Sequence, residues 1–344
     1  MAAGMSPPID DTPDAARDLG GDEITDLIHR ADLDGLVRLI DSLTISRDWS
    51  ELLRLRDRAR AAVDTGRQLW PAATLAEFRL ALHGSPEWAA RVLDGDSGRF
   101  TIGPLAEVVA GRLVWDDVAD IIDGPVAAGV AHERVVRGED LTGCDIAPVI
   151  ELPLVLADWE PRYTVPEYSD AGIADPAPTT DPVWSEHDLS DREPVIVDDE
   201  DSLRAFRQLV ETWIDHSSGR FGFACVEGDP LDALAALGLR RARSSPLSVA
   251  DAVDQLAWAG ATGAARGRRR GAALGRFGAW WLIATLCDMV EPWPPDSDAL
   301  GAAVHSLDWC CWDAFEPTAG WRLALCAHDR ANGLSWVMSA ADEA

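Results

Sequence analysis

The chain contains no lysine. All 30 of its permanently cationic side chains are arginine, against 59 aspartates and glutamates. This excludes a Schiff-base lysine, a lysine general base and the lysine of a phosphate-binding P-loop. Other residue types are scarce too: two tyrosines and one asparagine (Asn332) stand beside fifteen tryptophans, a bias like that of a GC-rich genome. No two of the six cysteines (Cys144, Cys225, Cys287, Cys310, Cys311, Cys326) have CxxC spacing. In a chain of 344 residues, too long to need disulfide staples, they read as reduced thiols and a cytoplasmic location. No G-x-S-x-G elbow supports serine hydrolase chemistry. The longest uncharged apolar run, residues 277–287, is eleven residues, where a membrane span needs roughly 20. Residues 1–22 are acidic and lack the apolar core of a signal or transit peptide.

What is present is charge, unevenly spread. The formal net charge of −29 would repel nucleic acid at long range and suits a basic protein partner. Residues 138–202 hold 18 Asp and Glu against two Arg, and residues 240–276 hold eight Arg against Asp251 and Asp254. Opposite excesses on one chain imply that the two segments meet, within or between chains.

The order of patterns defines four parts. Residues 1–21, rich in Pro, Asp and Ala, read as a disordered acidic tail. Residues 22–137 are helical throughout: Leu33, Leu36, Val37, Ile40 and Leu43 recur at spacings of three and four, and Asp48-Trp-Ser-Glu51 is a capping box. Short helices with short turns imply a HEAT-like solenoid or an irregular bundle. Residues 138–200 form an acidic connector in which prolines suppress helix. Within it, residues 149–156 read as a strand or wall segment, residues 174–182 as a flexible linker and residues 194–197 as a strand. Residues 201–344 alternate helix and strand: helices at 201–215, 230–237, 248–261 and 268–290, a strand at 220–226, then strands at 304–315, 321–328 and 334–339. Asp329-Arg-Ala-Asn-Gly333 supplies a hairpin turn. The fold class is therefore α+β and mostly α, with C-terminal helices packed on a small antiparallel meander.

The candidate ligand residues lie in the basic island. A helix over 268–290 places Gly267, Gly271, Gly275 and Gly278 on a stripe suited to close packing. Arg269, Arg276 and Trp280 share another stripe, and with Arg270 they could grip a phosphate or carboxylate, or pair with the chain's own acidic connector. Cys311, Cys326 and His328 are weak metal candidates set against the reading of buried cysteines and a surface histidine. Asp198-Asp-Glu-Asp201 reads as a solvated helix start that could take a cation, and Trp293, in Pro292-Trp-Pro-Pro295, as an exposed contact residue.

The segment Gly267-Arg-Arg-Arg-Gly-Ala-Ala-Leu-Gly-Arg-Phe-Gly-Ala-Trp-Trp281, followed by Gly320-Trp-Arg-Leu-Ala-Leu325 and Asn332-Gly-Leu-Ser-Trp336, resembles a family of uncharacterised actinobacterial proteins. That resemblance implies an arginine-rich helix ending in Trp-Trp and a C-terminal β-meander; it implies no catalytic residue. The expectation is a non-enzymatic binding or scaffold protein with an acidic surface for a basic protein partner. The alternative is an enzyme or sensor that holds a small anion on the arginine helix. No cofactor, nucleic acid or membrane is implied, and the residues set no oligomeric state.

Overall fold

The computed structural model describes residues 19–93, 102–316 and 320–343. Most of the expected acidic tail lies outside them, and helix α1 begins at Leu19. The chain divides into two compact units, Met1–Gly84 and Ser85–Ala344. The helices that the pattern groups into one run ending at residue 137 thus fall into both.

The first unit contains α1 (Leu19–Arg30), α2 (Leu33–Ser46), α3 (Trp49–Asp64) and α4 (Trp70–His83). Asp32 and Asp48 cap α2 and α3 by accepting the N–H groups of Gly35 and Glu51. Helix α4 packs on α2 and α3 and is buried almost all round. Leu36 and Ile40, at helical spacing on α2, join Leu52, Leu55 and Leu80 in a dry core. The buried Glu77 of α4 pairs with Arg60 and Arg56 of α3.

The second unit opens with α5 (Pro86–Leu93), α6 (Leu105–Ala110), α7 (Trp115–Val118) and α8 (Gly124–Val136). The connector follows. It contains a small hairpin of β1 (Glu167–Ser169) and β2 (Gly172–Ala174), then β3 (Ser185–Asp188) and β4 (Val195–Val197). Residues 149–156 form turns rather than a strand. After them come α9 (Glu200–Leu209), α10 (Glu211–Asp215), β5 (Arg220–Glu227), α11 (Pro230–Ala236), β6 (Arg241–Leu247), α12 (Val249–Ala261), α13 (Ala272–Leu286), α14 (Ser297–Ser306), β7 (Leu307–Asp313), β8 (Trp321–Asp329) and β9 (Leu334–Asp342). The class is α+β.

The three-stranded meander is the centre of a larger antiparallel sheet of order β3-β6-β7-β8-β9-β5-β4. Strand β6 escapes sequence reading because arginine, serine and Pro246 interrupt its apolar period. Residues 297–306, expected to be extended at their end, are helical because Asp296 caps them through Ala299 N–H. Alternation sorts the two faces: Leu323, Leu325 and Ala327 join the core under α9, α12 and α13, while Ala324 and Cys326 face α11.

The arginine helix is shorter than its pattern. It starts at Ala272, since Gly271 has φ 103° and ψ 153°, outside helical space. Gly267, Gly271 and Arg269 therefore precede α13 and share no stripe with Gly275 or Arg276. Gly267 instead lies against the Gly263 and Thr212 carbonyls, and the later glycines serve close helix packing. A Cβ at Gly275 would stand 2.1 Å from the Ala257 carbonyl oxygen on α12, and one at Gly278 would meet Leu209 of α9 at 2.7 Å.

Candidate functional site

The start of α13 has no side-chain cap of its own. Glutamates from two earlier helices replace it: Ala272 N–H donates to Glu107 Oε1 at 2.9 Å, and Ala273 N–H to Glu133 Oε1 at 2.9 Å. Both carboxylates thus satisfy orphan amides where the helix end is positive. Glu107, fully buried, also accepts Arg269 Nε at 2.7 Å, Arg269 Nη2 at 2.9 Å and the Tyr168 hydroxyl at 2.5 Å. Arg269 Nη1 donates to Asp175 at 2.7 Å. Burial alone would raise the Glu107 carboxyl, but the charge and hydrogen bonds of Arg269 outweigh it and hold it below the usual range. Glu133 behaves oppositely: burial first, then the Glu107 charge, push it up to about 7 against the pull of Arg137.

One helical turn on, Arg276 is just as occupied. Its guanidinium donates to Glu160 Oε1 at 2.7 Å and Oε2 at 2.8 Å, and to the Pro153 and Val155 carbonyls at 2.9 and 3.0 Å. Trp280 Nε1 and the Tyr163 hydroxyl complete Glu160 at 2.9 and 2.6 Å. The acidic connector and basic island thus meet within one chain, and the stretch read as a flexible linker is held through Asp175.

Of the four ligand candidates, Arg269, Arg276 and Trp280 are buried and hydrogen-bonded internally. Arg270 is half-buried, reaches the Gln208 carbonyl at 3.3 Å, and lines a recess of about 310 Å³ with Arg268, Glu211 and His216. Glu107, Glu133 and Glu160, which organise the island, carry a signal only in hindsight: Glu107 and Glu133 are single carboxylates among apolar helical neighbours.

The metal candidates are not brought together. Cys311 faces the α12 side and donates to the Ser245 carbonyl, while Cys326 faces α11. His328 Nδ1 sits 2.8 Å from Ser335 Oγ. Among the described residues no group of three His, Cys, Asp or Glu is placed to hold a metal ion.

A second recess, of about 450 Å³, lies where α9, the end of α13 and β9 converge. Trp281 and Trp336 form aromatic parts of its wall; Asp199, Asp201 and Asp288 bring carboxylates, and Arg204, also in the wall, pairs with Asp201 at 3.0 Å. Asp199 is fixed twice, capping α9 through Ser202 N–H and accepting Trp336 Nε1 at 2.8 Å. Trp281 is braced by Trp293 at 4.9 Å, so Trp293 is half-buried support rather than a free contact.

These features define an α+β protein whose antiparallel sheet is backed by an arginine helix neutralised from within. A model of a family of unknown function, DUF6183, matches residues 34–344, and the chain belongs to that family. No curated protein and no solved structure matches it. Among the described residues, no helix is long and apolar enough to cross a membrane.

Proposed function

We propose that this protein is a non-enzymatic binding or scaffold protein whose acidic surface receives a basic protein partner, with the recess between Trp281 and Trp336 as the point of contact. The observation that carries this reading is the union of two indoles, Trp281 and Trp336, with Asp199, Asp288 and the Asp201–Arg204 pair in one recess of net negative charge. An arginine or lysine side chain there gains both a carboxylate and a ring face. The net charge of −29 would draw such a partner in and speed encounter. Six free cysteines support a reducing, cytoplasmic setting. The anion-sensor alternative has less support, because Arg269 and Arg276 spend their donors on Glu107, Asp175 and Glu160.

The test is a titration with an arginine-rich peptide, followed by tryptophan fluorescence. Binding should weaken at least ~10-fold between low and about 0.5 M salt. It should weaken again in the Asp201→Asn/Asp288→Asn double variant, whose exposed positions leave the fold intact. Equal affinity in that variant, or for an acidic peptide of the same length, overturns the reading.

A further inference from the structure

The seven-stranded sheet splits at one end. Strands β7 and β8 pair from Leu307↔Asp329 to Cys311↔Leu325 and stop. Continued in register, Trp312 would oppose Ala324 and Asp313 would oppose Leu323. Instead β7 runs on with β6 alone, to Arg243↔Asp313, and β8 pairs over Trp321–Ala324 with β9 alone. A sheet that forks exposes side chains that a continuous ladder would cover.

A recess of about 200 Å³ lies at this fork. Its charged wall is Arg243, Arg322 and Asp313, with Gln255 and Thr180 as neutral polar neighbours, and its apolar wall includes Trp184, Trp258 and Trp312. Asp313, 5% exposed, accepts Arg243 Nε at 2.7 Å on Oδ2. Arg322 Nη2 comes within 3.3 Å of Oδ1, yet Oδ1 has no hydrogen bond. One carboxylate therefore stands against two half-buried guanidiniums, a local excess of one positive charge in a strongly acidic chain. This contrasts with Arg269 and Arg276, whose donors are taken up. The arginines are also set against rings: Arg243 lies 4.7 Å from the Trp184 centroid and Arg322 5.9 Å from that of Trp312. The indole N–H groups of Trp258 and Trp312, both in this wall and both more than nine-tenths buried, have no partner among the described residues. Native interiors rarely leave such donors unmet.

We propose that this fork is a binding site for a small planar carboxylate, an aromatic monoacid. A carboxylate matches the flat fork of a guanidinium in two parallel hydrogen bonds, and a single negative charge neutralises the local excess. A dianionic phosphate would set a second charge beside Asp313. The three indoles accept a flat apolar body, and the volume, below the usual range for drug-sized ligands, limits it to about one or two rings. This site shares no residue with the acidic recess between Trp281 and Trp336, so either can fail alone.

The experiment titrates the whole protein with benzoate and indole-3-acetate by calorimetry, with benzamide, acetate and phenyl phosphate alongside. The aromatic acids should bind at least ~10-fold more tightly than benzamide and acetate, since charge and ring are both read. Arg322→Gln should weaken them at least ~10-fold, and Trp184→Phe less. Thermal melting of each variant without ligand shows that the fold is kept. Should Arg322→Gln fail to fold, Arg322→Lys, which keeps charge without the planar fork, replaces it and is expected to weaken binding as well. Benzoate binding no tighter than benzamide, or unchanged in a folded Arg322 variant, overturns the site. Phenyl phosphate binding while both acids stay silent overturns the carboxylate assignment.

Discussion

Glu107 holds Arg269 through both carboxylate oxygens, at 2.7 and 2.9 Å, and turns one of those oxygens to the first amide of α13. One side chain thereby neutralises the island, caps a helix and ties α6 to a segment more than 160 residues away. Losing either partner leaves an uncompensated buried charge. Arg269→Ala should cost about 3–5 kcal/mol in denaturant unfolding, and Arg269→Lys should restore little, since an ammonium cannot reproduce the fork. A loss under about 1 kcal/mol for Arg269→Ala would show that the pair is not buried as described.

The Arg276–Glu160 pair makes a similar prediction with a different readout. Glu160→Ala strands Arg276 and removes the acceptor of Trp280 Nε1. Unfolding free energy should fall by about 3–5 kcal/mol. Emission from the folded variant should shift as Trp280 and its neighbour Trp159, 5.1 Å away, relax. Unchanged emission and stability together would refute this.

Glu133 and His132 should oppose each other in pH dependence. Burial, then the Glu107 charge, raise the Glu133 carboxyl from 4.5 to about 7, so its contribution is present at low pH and is lost as pH rises through about 7. Burial, then the Arg276 charge, lower His132 from 6.5 to about 4, so its contribution is present above 6.5 and lost as pH falls towards 4. Their slopes partly cancel between about pH 4.5 and 6.5. Glu133→Gln should uncover a stability that rises with pH across that window, measured by denaturant midpoints; a flat profile would sink the assignment.

Gly275→Ala tests the helix contact. Its new Cβ would stand 2.1 Å from the Ala257 carbonyl oxygen, and backbone cannot yield as a side chain does. Overpacking of this kind costs about 1–3 kcal/mol, so the melting temperature should drop by several degrees. Gly66→Ala is an instructive contrast: nothing lies within 4 Å, and any loss there comes from φ +92° alone.

The parts of this protein legible from its residues are those that depend on near neighbours. The α2 face at Leu36 and Ile40, the Asp48 cap, the hairpin turn at residues 329–333 and the short strand ending at Val197 follow from local spacing and backbone preference. So did the exclusions drawn from the missing lysine. The island's meeting with the connector was legible as a charge imbalance, but not its partners. Tertiary structure alone decided that Gly271 would end the helical reading of residues 268–271, since its backbone turns to bring Arg269 to Glu107. It alone decided that β6, with its arginines and Pro246, would join the sheet: β7 pairs it through Leu247, and Pro246 lies beyond the end of the β3 ladder at Ser244, where no N–H is needed on that side. The fork beside Asp313 belongs to this second class: where a ladder stops depends on what Arg243 and Arg322 gain by turning toward one carboxylate, a contact between residues 70 and nine positions away from it.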